Sequence, residues 1–202
     1  MKPLFAVLTL LGSVGLLTAQ EINPGIRLGA HFHDVRIDDE RNFEYEGQIG
    51  FAAGFFVELE LSDNFAIQPE IAALQRRFEF VDPTGITNQR IETSTTYVDI
   101  PVLAKIKFGA AGTEFYIQGG PQFGYAVGQT ITLNGEELDV EFSDNEDYNR
   151  GEVSAVVGAG VSIFGFLVDA RYNLGLTTFQ DDNLVTSDSY NQGLTLALGF
   201  KF

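Results

Sequence analysis

The 202-residue chain has no cysteine, no tryptophan and a single methionine. Without cysteine it has no disulfide, no thiolate metal ligand, no cysteine nucleophile and no lipid attached to an N-terminal cysteine. Basic residues are also scarce, at 12 Lys and Arg against 28 Asp and Glu, for a formal net charge of -16. Because binding to nucleic acid requires clustered Lys and Arg, we expect no nucleic-acid partner.

Long apolar runs are absent after the N-terminus. The first 20 residues, MKPLFAVLTLLGSVGLLTAQ, contain one lysine, an apolar run from Leu4 to Leu17, and then small or polar residues. This order is typical of a cleaved secretory signal peptide, and the run is short of the ~20 apolar residues that a spanning helix needs. We therefore predict a signal peptide over residues 1–20 and one mature domain over residues 21–202.

The mature sequence alternates apolar and polar residues with a period of two, which predicts β-strands. Its last ten residues, GLTLALGFKF, place five apolar side chains on one face: Leu194, Leu196, Leu198, Phe200 and Phe202. Seven earlier stretches follow the same pattern, so we count eight strands. Short connections at 62–64, 109–113 and 164–165 alternate with long polar ones at 34–47, 81–95, 128–150 and 178–190.

Short turns that alternate with long loops are typical of outer-membrane barrels. In hydrocarbon every backbone polar group must be paired within the protein, and strands achieve this only by closing into a barrel. We therefore predict an all-β fold, an eight-stranded antiparallel up-and-down transmembrane β-barrel in the cell outer membrane. Apolar aromatic residues at the short-turn ends predict a periplasmic girdle of Phe65, Phe108, Phe115, Phe166 and Phe202.

The predicted inner face carries charges of both signs. A barrel of this strand number is too narrow for an open pore and is filled by side chains. Buried charges are costly unless they are paired. We therefore expect a cross-barrel polar network of Arg27, Glu58, Glu60, Gln68, Glu70, Asp99, Lys105, Lys107, Asp169 and Arg171. Tyr97 is also expected to point inward unless a bulge intervenes.

Several motifs recur in one known family. They are Leu61-Ser62 followed by Phe65, Gln68-Pro69-Glu70, Asp99-Ile100-Pro101 and Gly120-Pro121. Together they resemble the outer-membrane β-barrel domain proteins often labelled PorT-like or porin-family, over most of the chain after the signal. The family label implies a small barrel and does not imply conduction. Prolines inside strands are usual there, and we expect β-bulges at Pro69, Pro101 and Pro121.

The chain ends on Phe202, which resembles the C-terminal aromatic residue of outer-membrane proteins. In those proteins this residue is part of the signal that the barrel-assembly machinery reads. The resemblance therefore implies that Phe202 is an assembly signal and that this machinery is a partner.

Candidate chemistry is sparse. His31 and His33 share the inner face beside Asp34, as a metal pair or a general base would, but no Ser-His-acid pattern accompanies them. The stretch ITLNGEEL predicts a hairpin turned at Asn134-Gly135. The acidic segment after it lacks the full spacing of a calcium loop and is interpreted as a solvated loop facing lipopolysaccharide. We predict no catalytic, cofactor-binding or metal-binding residue.

These observations favour a small outer-membrane barrel, not an enzyme, with a structural or binding role carried by long acidic extracellular loops. The alternative is a narrow, porin-like channel for small solutes. A lipid-modifying enzyme would need a nucleophile at membrane level, which the sequence does not offer, and a soluble lipocalin-like barrel would reverse the two faces. Expected partners are outer-membrane lipid and lipopolysaccharide, and the expected state is monomeric. The sequence names no ligand.

Overall fold

The computed structural model describes residues 21–37, 45–81, 90–133, 135–139, 150–177 and 189–202. The predicted signal peptide lies outside the described residues. Within them, no helix is long and apolar enough to cross a membrane. The described elements are all strands: β1 (Glu21–Ile37), β2 (Tyr45–Ser62), β3 (Phe65–Val81), β4 (Arg90–Ala110), β5 (Thr113–Leu133), β6 (Glu136–Asp139), β7 (Gly151–Ile163), β8 (Phe166–Gly175) and β9 (Ser189–Lys201).

Eight of these strands form an antiparallel ring. From β1 to β5 each strand pairs with the next, β5 pairs with β7, and β7 to β9 continue the meander. The first strand, β1, pairs with the last, β9, from Gly25–Lys201 to Ile37–Ser189, and this pairing closes the ring. The prediction of an eight-stranded antiparallel barrel is therefore confirmed.

The ninth strand, β6, is a short hairpin arm that pairs with β5 on the long-loop end. Gly135 turns this hairpin with a φ of 89°, a left-handed conformation that glycine adopts without steric cost. Asn134, the other predicted turn residue, lies outside the described residues. At the opposite end, Ala111-Gly112 and Phe164-Gly165 form two-residue turns with positive φ at both positions, the geometry that suits the twist of a hairpin.

Apolar side chains cover the outside of the ring. Along β1, Ile26 and Leu28 are 50% and 64% exposed, whereas Arg27 between them is 7% exposed. The same alternation follows β9, where Leu196 and Leu198 are exposed around the buried Ala197. An exposed apolar belt of this extent marks a membrane surface. It excludes the soluble lipocalin-like alternative.

The prediction of bulges at the three strand prolines is wrong. Pro69 pairs with Val102, and the same register continues on both sides of it. Pro101 pairs with Gln122 and Pro121 with Ala155, again without a register shift. In an antiparallel ladder a residue donates its N–H to one neighbour only, so a proline removes one bond and needs no extra residue.

Register shifts occur elsewhere, at Gln48/Ala52, Glu60/Ser62 and Thr96/Tyr97. At the last of these the extra residue is on β5, because Thr96 pairs with Gly128 whereas Tyr97 pairs with Ala126. Tyr97 therefore keeps its place on the inner face, where it is 3% exposed.

Several strands extend into segments that were predicted to be loops. β1 runs to Ile37, β4 begins at Arg90 and β5 reaches Leu133. The extensions of β4 and β5 are rich in threonine, and Gln129 Nε2 donates a hydrogen bond to Thr95 Oγ1 at 3.5 Å. Above the membrane a paired strand needs no apolar face. The alternation of apolar and polar residues therefore stops before the backbone pairing between the strands does.

We predict that Leu196→Arg destabilises the barrel by about 2–4 kcal/mol, since Leu196 lies on the apolar outer face near mid-height and an arginine there would meet hydrocarbon. The free energy of unfolding measured by denaturant titration in lipid vesicles tests this. Leu196→Ala is the control, because it shortens the same side chain without adding charge. An arginine variant no less stable than the alanine variant would contradict a lipid-facing Leu196.

Candidate functional site

The interior at the short-turn end holds a cluster of three lysines and three glutamates. Glu58 is fully buried and accepts from Lys105 Nζ at 2.5 Å, from Lys201 Nζ at 2.9 Å and from Lys107 Nζ at 3.4 Å. Lys107 also contacts Glu60 at 2.6 Å. Three strands, β2, β4 and β9, thereby meet on the Glu58 carboxylate. Glu114 adds the third negative charge at 3.3 Å from Lys201, so the cluster is balanced.

A second cluster crosses the barrel one layer further up. Arg27 contacts Asp169 at 2.9 Å and Glu70 at 3.3 Å, and Arg171 contacts Glu70 with two nitrogens at 2.8 Å. This paired contact uses the planar fork of the guanidinium group, which matches a carboxylate. Two positive and two negative charges therefore close a neutral ring at this level.

The two clusters are joined by a neutral side chain. Gln68 donates to Glu70 at 2.5 Å and accepts from Lys105 at 2.8 Å, so one amide links the middle layer to the lower one. Tyr116 donates its hydroxyl to Asp169 at 3.2 Å and presents its ring to Lys105, whose Nζ lies 4.1 Å from the ring centroid. Each buried charge named here thus has several partners, as charges of low exposure require.

A third layer lies toward the long-loop end and centres on Arg76. Its guanidinium contacts Glu152 at 2.6 Å and Asp99 at 3.8 Å, and it stacks 3.9 Å above the Tyr97 ring. Asn191 also donates to Glu152. Gln122 donates to Asp99 at 3.1 Å, which leaves Asp99 Oδ1 buried without a hydrogen bond to the described residues.

The layers leave little free space. An apolar contact of Phe56, Tyr116 and Leu167 fills the barrel beside the lower clusters. Between the middle and upper layers a cavity of about 40 Å³ is lined by Arg27, Asp99 and Arg171 together with apolar residues such as Leu74 and Val156. A water needs at least ~10–15 Å³, so a cavity of this size has room for very few waters. The described interior is therefore packed rather than open.

The two histidines lie inside the barrel above these layers. His31 Nδ1 is 2.9 Å from Thr195 Oγ1, and the ring centroids of His31 and His33 are 5.9 Å apart. His31 Nε2 and His33 Nδ1 are buried without a partner among the described residues. Among all the residues that the structure describes, no group of three or more His, Asp or Glu side chains is placed to hold a metal ion.

All ten residues of the predicted polar network lie on the inner face. Nine of them are at most 7% exposed, and Glu60 lies at the end of the lower cluster, with its side chain 16% exposed. The structure brings them together in the lower and middle clusters, except Asp99, which belongs to the upper layer. Phe202 is 61% exposed, donates its N–H to Pro24 at 2.9 Å and lies 6.3 Å from the Phe200 ring.

Sequence reasoning missed Arg76, the centre of the upper layer. The stretch LQRRFEF has two adjacent arginines, and the third strand was taken to end before them. Counting on in steps of two from Gln68 and Glu70 would have reached Arg76. Phe56 was missed for a similar reason, because an aromatic residue on a polar inner face breaks the expected pattern.

A closed antiparallel ring with an apolar outside and a charged, packed inside defines a transmembrane β-barrel. The profile of the family "Outer membrane protein beta-barrel domain" matches residues 18–181. The chain therefore belongs to this family and is a small outer-membrane β-barrel protein. No curated protein matches the sequence significantly.

Solved structures of similar shape share little sequence. Ail of Yersinia pestis, solved with the heparin analogue sucrose octasulfate, is 17% identical, with 91% of this chain and 100% of Ail covered and a TM-score of 0.46. Neisserial surface protein A is 12% identical, with 91% and 100% covered and a TM-score of 0.48. OprG of Pseudomonas aeruginosa is 10% identical, with 90% and 94% covered and a TM-score of 0.46.

We predict that Glu58→Gln destabilises the barrel by about 3–5 kcal/mol, because three lysines lose their shared buried carboxylate. Glu60→Gln is the matched control and should cost clearly less, since the Glu60 side chain is 16% exposed and its charge is partly hydrated.

Denaturant unfolding in lipid vesicles measures both variants. Adding Lys105→Met to Glu58→Gln should recover part of the loss, because it removes one of the unpaired charges. Equal losses for the Glu58 and Glu60 variants would contradict the central place of Glu58 in the cluster.

Proposed function

We propose that this protein is a non-conducting outer-membrane barrel with a structural or binding role carried by its long-loop end. The observation that supports this proposal most directly is the middle layer of Arg27, Glu70, Asp169 and Arg171, which spans the barrel from wall to wall. An ion that crossed this level would have to separate buried ion pairs, each of which also holds neighbouring hydrogen bonds.

The long-loop end is the part that remains available for binding. There β3, β4 and β5 continue past the apolar belt, and β6 adds the acidic residues Glu136, Glu137 and Asp139. The further acidic residues of this segment, at 141, 144, 146 and 147, lie outside the described residues. Binding loops on a rigid strand scaffold are a common division of labour.

The narrow channel remains the second candidate. The observation in its favour is the cavity of about 40 Å³ between the middle and upper layers, since a solute path needs free space inside the barrel. The two proposals differ in whether the barrel conducts ions, which single-channel recording measures.

We predict that the purified chain shows no discrete single-channel steps in planar bilayers, since the middle layer closes the interior. The double variant Glu70→Ala/Arg171→Ala removes one charge of each sign from that layer and should produce small, resolvable steps. The control is Leu28→Ala, which changes the outer face and should stay silent. Discrete steps in the unmodified protein would favour the channel.

Lipopolysaccharide is the proposed partner of the outer surface just above the apolar belt. A polar collar lies there on β3 to β5, formed by Arg77, Glu92, Ser94, Thr130 and Thr132. Arg77 and Glu92 are 3.6 Å apart with side chains 39% and 31% exposed. Hydroxyl and guanidinium groups at this height suit sugars and phosphates, which are the polar groups of that leaflet.

We predict that Arg77→Ala reduces retention of lipopolysaccharide roughly fivefold, the factor that about 1 kcal/mol of exposed charge contact represents. Native mass spectrometry of the detergent-purified barrel counts the bound molecules. Gln75→Ala, two residues away on β3 and uncharged, is the control. Retention that is the same in both variants and in the unmodified chain would remove Arg77 from the contact.

Other parts of this proposal rest on sequence alone. Residues 1–20 would be a cleaved signal peptide, Phe202 would be read by the barrel-assembly machinery, and the barrel would act as a monomer without enzymatic activity. The finer PorT-like resemblance is supported by the motifs around Pro69, Pro101 and Pro121.

A further inference from the structure

The outer wall of the barrel has an open apolar depression of about 970 Å³ across β1, β9, β8, β7 and the start of β5. Its floor is the cross-strand pair Ala159–Ala170. The larger side chains Phe115, Phe166 and Leu198 stand around it. Its volume is in the range of small-molecule sites, about 300–1,000 Å³.

The inner face of the same wall carries several glycines. A methyl group at Gly160 would lie 2.5 Å from the Tyr116 hydroxyl oxygen, and one at Gly29 would lie 2.9 Å from the Ala197 methyl carbon. Gly25 likewise leaves space for the Phe56 ring. Each of these glycines is the cross-strand partner of the residue that it makes room for, since Gly160 pairs with Tyr116, Gly29 with Ala197 and Gly25 with Phe56. The outer concavity itself comes from the outward residues, because the short side chains of Ala159 and Ala170 lie among the larger ones of Phe166 and Leu198.

The depression lies in the half of the membrane next to the short turns. Phe166 and Phe200 pair at its lower edge, with ring centroids 4.9 Å apart, and the chain ends at Phe202 just below. From Phe200 to Leu196, at the height of the floor, is four residues, or about 13 Å along a strand. With strand tilt this is less than half of the ~25 Å apolar band, so the depression faces the periplasmic leaflet.

The chemistry of the lining restricts what fills it. Arg27 and Asp169 border the depression, but both side chains point inward and are 7% exposed, so no charged group reaches its surface. A polar solute would find no partner there. A second copy of the chain related by a two-fold axis would place two concave faces against each other and leave a void.

We propose that this depression is a binding site for one acyl chain of a phospholipid in the periplasmic leaflet. An acyl chain in the depression would contact the floor of Ala159 and Ala170 and the aromatic rings of Phe166 and Phe200 at its edge. A convex stretch of the same barrel does not offer this contact. The opposite wall supplies the comparison, since Ala104 on β4 is an exposed outward alanine outside the depression.

Photolabelling tests the site directly. The full folded chain is reconstituted in phosphatidylcholine vesicles that contain a small fraction of phosphatidylethanolamine with a diazirine in one acyl chain, and the labelled peptides are mapped by mass spectrometry. We expect labels to concentrate on β7, β8 and β9 rather than on β2 to β4. Ala159→Leu and, separately, Ala170→Leu should reduce this labelling about fourfold each, the factor for one buried methylene group lost.

The control is Ala104→Leu, which should leave the labelling of β7 to β9 unchanged, and a heat-dependent gel shift verifies that every variant is folded. Labels spread evenly around the barrel would overturn the proposal, because they would show ordinary surrounding lipid only. The same holds for equal labelling in the Ala159 and Ala104 variants. Cross-links between β7 or β8 of two copies would assign the face to a dimer and also overturn it.

Discussion

Inside a bilayer each backbone N–H and C=O must find its partner within the protein, and the rest of this structure depends on that constraint. The seam between β1 and β9 satisfies it, because thirteen residue pairs from Gly25–Lys201 to Ile37–Ser189 join the first strand to the last. Once the ring is closed, each strand has one face toward lipid and one toward the interior. The two-residue alternation of the sequence then sorts side chains between hydrocarbon and the barrel core.

Closure also sets the energetics of the interior. An eight-stranded ring has room for side chains and little else, so its polar residues leave water and must satisfy one another. Glu58 with three lysines, and Glu70 with two arginines, are the result. Such ion pairs gain little over apolar packing, but losing one partner leaves a buried charge, which makes the arrangement sensitive to single substitutions. Glycines on β1 and β7 leave room inside the barrel for their cross-strand partners Phe56 and Tyr116.

Most of the fold followed from the sequence, because alternation and turn chemistry are local signals. The strand number, the short turns at 62–64 and 164–165, and the hairpin at Gly135 all depend on residues close to one another. The bulges were misplaced, since register is set by both partner strands and not by a proline alone. The residues of the inner face could be predicted, because every second residue of a strand points to the same side. The partners of Arg76 could not be predicted, because Glu152 is 76 residues away and only the closed ring brings the two together. The depression had no sequence signal, since it depends on which outward side chains of different strands the closed ring places side by side.

Heat-modifiability is the most direct test of whether this protein forms a stable, closed barrel in the outer membrane. The protein is extracted from outer-membrane fractions in mild detergent, and boiled and unboiled samples are compared on a denaturing gel. We predict that the unboiled protein migrates as a compact, faster species that boiling converts to the unfolded mobility. Identical mobility with and without boiling, together with recovery of the protein in the soluble periplasmic fraction, would contradict a closed barrel in the membrane.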